Sequence, residues 1–227
     1  TRNTKARSTY DNVPKITHAS HRKIFTGSTE KGIRKMTTIA LYAVKGGVGK
    51  TTTTINLATA LVKGCQKKVL IIDTNLQAPN VGLHVGVTQV DHGFEEVLEG
   101  KYRMVDAIYH HAFGFDLLIP NLATTAKIAR LKEKVAVIKD NYDLILLDTM
   151  PAQIAAQTAV LDATDAIFIV TTPDSPTVLL AQKTIKSLQQ RGYNVPGVIC
   201  NKAAKGMQKK EMEETLGLPI IATIPES

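Results

Sequence analysis

"YAVKGGVGKTTTT", residues 42–54, decides the fold. Its inner stretch, GGVGKT at 46–51, follows an apolar β-branched run and opens a helix-like segment, the setting a phosphate-binding loop requires. Glycines there let successive backbone N–H groups turn inward at phosphate oxygens, and the helix N-terminus adds a favourable dipole. Lys50 then reaches the β- and γ-phosphates, and the Thr51 hydroxyl is placed to ligate Mg²⁺. A second lysine, Lys45, stands five positions earlier, where phosphate cradling does not need it. On spacing alone Lys45 reads equally well as a solvated lysine at a loop edge.

Outward from this loop, short apolar runs alternate with longer helical stretches. Strands are expected at 37–44, 68–73, 115–120, 142–148, 166–172, 197–201 and 219–224. Helices are expected near 51–63, 93–99, 103–110, 126–139, 153–162, 176–190 and 207–216. Near-continuous apolar strands between helices predict an α/β fold, a doubly wound, mostly parallel sheet with helices on both faces. Ligands of such sheets sit beyond the carboxyl ends of the strands.

The hydrophobic content, 44% of 227 residues, suffices for one buried domain, and no apolar run reaches the ~20 residues of a membrane helix. The N-terminus lacks the apolar core of a secretory signal, so an intracellular protein is expected. Cys65 and Cys200 lack CxxC spacing and suggest neither a disulfide framework nor a cysteine metal site. Nine basic and two acidic residues in 1–35 account for +7 of the net charge of +8. This basic arm precedes the domain expected at 36–227. It reads either as a tether for nonspecific DNA or an acidic partner, or as a flexible or non-native leader ahead of Met36.

The full GxxxxGK[ST] spacing would place a glycine at Val44; the loop instead reads Lys45-Gly46-Gly47-Val48-Gly49-Lys50-Thr51-Thr52. In this deviant form the sequence resembles the MinD/ParA family of P-loop ATPases, the MinD branch most closely. The resemblance runs from about residue 37 onward, through "VKGGVGKTTTTINLATAL", "KKVLIIDTNLQAPNVGLHVGV", "GFEEVLEG", "VDAIY", "YDLILLD" and "IPE". It implies that Lys45 crosses to the nucleotide of a partner subunit in a face-to-face ATP dimer, where it would act like an arginine finger.

Two strands end in aspartate, Asp73 and Asp148, positions from which a carboxylate can hold Mg²⁺ directly or through its waters. The alternative for either alone is a strand-end cap. The family typically shows D-x-D where this chain has Asp73-Thr74-Asn75. Its second acid helps to activate the attacking water, and an amide can orient water but cannot take its proton. Slow hydrolysis and a long-lived ATP dimer are therefore expected, with Asn75 either natural or engineered. Ala152 occupies the place of a switch glycine that bonds the γ-phosphate, a replacement tolerated only at negative φ. The resemblance further implies that Asn201 reads the adenine edge, with Lys202, Pro225 and Glu226 near the same pocket. Position 204 is alanine, so a GTPase-type NKxD is not met and ATP is expected over GTP.

The leading expectation is an ATP- and Mg²⁺-dependent dimerising switch ATPase used in intracellular positioning, at the cell division site or for related cargo, with a regulatory or activating protein partner. It would be cytoplasmic, with the membrane or nucleoid as its ATP-state surface. Membrane attachment in the MinD branch uses a C-terminal amphipathic helix, and "IATIPES" is read as ending before such a segment. The alternative is a ParA-like partition ATPase that binds nonspecific DNA as an ATP dimer, with salt-sensitive contacts from the arm. A metal-cluster scaffold lacks the paired cysteines it would need, and a binding module with a dead ATPase stays open because of Asn75.

Overall fold

A computed structural model describes residues 26–27, 34–35, 37–121 and 127–226. The basic arm therefore lies outside the described residues, apart from two short strands. These are β1 (Thr26–Gly27) and β2 (Arg34–Lys35), which pair antiparallel.

Eight further strands form one sheet: β3 (Thr38–Tyr42), β4 (Val69–Asp73), β5 (Tyr109–His110), β6 (Asp116–Leu118), β7 (Leu144–Asp148), β8 (Ala166–Thr171), β9 (Gly197–Cys200) and β10 (Ile220–Thr223). Their order is β10-β9-β8-β3-β7-β4-β6-β5, parallel throughout except for the β5–β6 pair at one edge. Among the described residues seven α-helices accompany it: α1 (Lys50–Cys65), α2 (Val81–Val85), α3 (Phe94–Leu98), α4 (Leu131–Ile138), α5 (Ile154–Leu161), α6 (Ser175–Gln190) and α7 (Lys209–Leu216).

Strand alternation builds two cores. Ile39 and Leu41 of β3 join Ile55, Ala58 and Leu61 of α1 on one face. Ala40 and Tyr42 point to the other, where Val135 of α4, Val160 of α5, Ile185 of α6 and Met212 of α7 cover them. Both sides of β3 are thus sealed by helices, which is why the run reads as continuously apolar. β3 lies between β7 and β8, and α1 carries the chain past β7 to β4. The loops after β3, β4 and β7 consequently meet at one end of the sheet.

The expected helix at 103–110 is corrected. Only Met104–Ala107 forms a single 3₁₀ turn, closed by the Arg103–Asp106 ion pair. Met104 and Ala107 are buried, but the apolar spacing lasts one turn; Tyr109 and His110 then pair with the free edge of β6. An exposed strand edge offers unpaired N–H and C=O groups, and two residues suffice to occupy part of it. The short helix α2 was not expected. It is bounded by Asn80 and by Gly86, whose φ of 78° ends it in the left-handed region.

Candidate nucleotide-binding site

The turn from β3 into α1 depends on glycine at two positions. Gly47 and Gly49 have φ of 75° and 90°, a region costly for L residues. Gly49 also abuts the chain: a Cβ there would lie 2.1 Å from the Asn201 side-chain nitrogen. That amide donates to the Val48 carbonyl at 2.9 Å and ties the carboxyl end of β9 to the back of the loop. Gly49→Ala should therefore both strain the turn and break this bond. We expect a loss of about 2 to 3 kcal/mol in chemical denaturation; unchanged stability would show that the left-handed turn is dispensable.

The two lysines are placed differently. Lys50 is buried at 6% exposure, and burial pushes its pKa down while the charge of Asp148 opposes the shift. A cation so enclosed is suited to an anionic ligand. Lys45 is half exposed and lies at the start of α6: its Nζ donates to Thr177 Oγ1 at 2.6 Å and stands 3.5 Å from Asp174 Oδ1. Asp174 N-caps α6 and accepts from both the Thr177 amide and hydroxyl. Its partial burial is the largest single influence and raises its pKa. The hydrogen bonds from Thr172 and Thr177, with the Lys45 charge, outweigh that and hold the carboxyl below the usual range.

Asp148, at the end of β7, accepts from Thr51 Oγ1 at 2.7 Å and from Thr54 Oγ1 at 3.1 Å. It lies beside Asp73 in register on β4. Burial pushes Asp148 up to about 6, the Asp73 charge adds to the shift, and the Thr51 and Thr54 hydroxyls and Lys50 oppose it. A hydroxyl and a buried carboxylate in contact at the mouth of a phosphate loop form a hard oxygen donor set that fits Mg²⁺. Asp73 is fully buried and serves the adjoining loop. It accepts the N–H groups of Asn75, Asn80 and Val81 at 2.9, 2.9 and 3.0 Å, and burial raises its pKa against those three donors.

Asn75 turns its side chain to the same loop, donating to the Ala78 carbonyl at 2.7 Å and accepting from the Ala78 amide at 3.3 Å. Lys202 is exposed with φ of 55°, Pro225 is exposed, and Asn201 is buried beneath Val48. A Cβ added at Gly46 would sit 3.8 Å from the Pro151 ring, so the segment after β7 passes beside the phosphate loop. Ala152 in that segment has no positive φ, and the replacement of a glycine there costs no backbone strain.

Sequence reasoning missed Thr54, Thr177 and Asp174. The threonine run 51–54 places Thr51 and Thr54 on one face of α1, an i,i+3 spacing that was readable. D-S-P-T at 174–177 is an N-cap signature with proline in the first turn, also readable, but its contact with Lys45 spans 132 residues and has no local signal.

A family model described as an AAA domain matches residues 36–194. A putative septum site-determining protein MinD from Emiliania huxleyi is 32% identical over 204 residues, covering 83% of this chain and 74% of that protein. Among solved structures, MinD of Pyrococcus horikoshii complexed with Mg-ADP superposes with a TM-score of 0.78 at 28% identity, covering 84% of this chain and 82% of that one. The MinC:MinD cell division protein complex of Aquifex aeolicus gives 0.73 at 30% identity, covering 84% and 82%. With a glycine turn, a buried Lys50, the Thr51–Asp148 pair and Lys45 at the loop edge, the chain belongs to the MinD/ParA family of P-loop ATPases.

Proposed function

We propose that the protein is a MinD-type switch ATPase in which ATP and Mg²⁺ bring two copies face to face and hydrolysis separates them. The observation that carries this reading is the contrast between the lysines. Lys50 is buried within the site, whereas Lys45 is half exposed at its rim and held, among the described residues, by Thr177 and Asp174. An exposed ion pair of this kind is weak, worth up to about 1 kcal/mol, so the ammonium is readily transferred to a stronger anion such as a partner's triphosphate.

In that reading the N–H groups of residues 46–51 and Lys50 bind the phosphates, while Thr51 and Asp148 would hold Mg²⁺. The ion, when bound, supplies positive charge to the phosphoryl oxygens. Asp73 fixes the loop 74–81 by its three backbone bonds, so that a change near the phosphates is felt by α2. Lys45 from the second copy adds charge where it develops in the transition state. Asn201, Lys202 and Pro225 would form the adenine pocket in this reading. The proposed role is intracellular positioning, at the division site or for related cargo, with a regulatory or activating protein partner; the Aquifex neighbour is itself found in a complex with MinC.

Asn75 makes the cycle slow, because no carboxylate occupies its place and its amide is engaged with Ala78. Asn75→Asp is expected to raise steady-state phosphate release from ATP by about 10²-fold or more, the scale of one general base. The same rate in both proteins would remove Asn75 from the account. No phosphate release from either, with Mg²⁺ present, would argue against the ATPase reading itself.

A further inference from the structure

Tyr42 is the last residue of β3, three positions ahead of Lys45, and is fully buried. A tyrosine in an apolar core needs a partner for its hydroxyl. Here the partner is not in the core: the hydroxyl reaches across the sheet end and donates to the Ala152 carbonyl at 2.6 Å. Ala152 lies in the stretch 149–153 between β7 and α5, the segment that begins immediately after Asp148.

Other contacts hold this stretch. Thr149 Oγ1 donates to the Leu41 carbonyl at 2.7 Å, Gln157 Nε2 donates to the Met150 carbonyl at 3.3 Å, and the Ala156 N–H donates to the Gln153 carbonyl at 3.0 Å. The Pro151 ring is near Gly46, 3.8 Å from where a Cβ would sit. Two of the tethers therefore come from β3, whose next residues are the phosphate loop. The loop and the segment facing it are set relative to one another by Leu41 and Tyr42. In a trans peptide the N–H points opposite to the carbonyl, so an Ala152 carbonyl held by the buried Tyr42 directs the Gln153 N–H away from the core. Burial raises the Tyr42 pKa to about 12, so the hydroxyl stays a donor at any working pH.

We infer that Tyr42 is a positioning residue: its hydroxyl presets the 152–153 peptide beside the phosphate loop, so that the segment after Asp148 meets the terminal phosphate of ATP without rearranging. The inference rests on the ATPase reading above. It concerns the one phosphate by which ATP differs from ADP, and so predicts an effect that ADP binding does not show.

Tyr42→Phe removes the hydroxyl and keeps the ring. Relative to the unaltered protein, we expect ATP turnover or ATP-dependent self-association to fall about fivefold, the effect of one hydrogen bond of ordinary net worth. The Kd for Mg-ADP should change by less than about twofold, since ADP lacks the phosphate concerned. Tyr142→Phe is the matched control. Tyr142 is also buried, with a hydroxyl that donates to Asp116 at 2.8 Å, but it stands before β7 at the opposite end of the sheet. It should cost similar stability and leave turnover unchanged. Equal effects of the two variants, or a parallel loss of ADP and ATP affinity in Tyr42→Phe, would overturn the inference and mark the hydroxyl as structural. If the unaltered protein neither binds nor hydrolyses ATP, the ATPase reading fails instead, whatever the variants do.

Discussion

Replacing Lys45 by alanine should leave ATP binding within about threefold and lower turnover by about 10²- to 10³-fold, below the range of an arginine finger but of the same kind. The separation of the two effects follows from placement. Lys45 is half exposed, and its contacts are a hydroxyl and a carboxylate on the rim rather than the phosphate loop's interior. For the same reason the substitution should alter the stability of the single chain by no more than about 1 kcal/mol. Fluorescent-nucleotide binding and phosphate release measured on the same preparation check it. A parallel loss of binding and turnover would make Lys45 a ligand of its own nucleotide, and unimpaired turnover would leave it a solvated lysine.

The second large effect is at Asp148. Its carboxyl is raised to about 6 by burial and by neighbouring Asp73, against an ordinary value of 3.8. The folded state thus holds the proton more tightly than the unfolded chain. The stabilising contribution is fully present below about pH 4 and is lost as pH rises through about 6, roughly 3 kcal/mol in all. At neutral pH the protein carries a buried carboxylate that works against folding. Asp148→Asn removes that charge while keeping a group that can bond the Thr51 and Thr54 hydroxyls. The variant should be about 2 kcal/mol more stable than the unaltered protein at pH 7.5, with chelator present, and equal to it at pH 4. Its Mg²⁺-dependent turnover should fall at least about 10²-fold, the carboxylate being a proposed ligand of the ion. Urea denaturation at the two pH values tests the stability claim. An asparagine variant that is less stable by the same amount at both would show that the carboxylate is not strained.

What could be read in advance was the local part. The glycine turn, Lys50 and Thr51 lie within six residues, and Asp148 ends an uninterrupted apolar strand, so neighbouring sequence suffices to place them. The parallel sheet was legible because both faces of its central strands are covered, which removes polar alternation. The edge was not. At 103–110 one apolar turn looked like a helix, and the outcome was decided by the free side of β6. Side-chain partners in the site were illegible for a related reason. Tyr42 meets Ala152 across 110 residues, Lys45 meets Thr177 across 132, and Asn201 meets Val48 across 153; each pair is brought together by strand order alone. Asn75 looked like a water-positioning group from its place in the motif, while its amide is engaged by Ala78, three residues away.

In the proposed switch the site is completed by a second copy. Light scattering during size exclusion measures it directly, with no nucleotide, with Mg-ADP and with Mg-ATP, on the unaltered protein and on Lys45→Ala. A single-chain mass is expected in the first two conditions, a doubled mass with Mg-ATP, and loss of that doubling in the Lys45 variant. A mass that is the same in all three conditions, while ATP is bound, would contradict it.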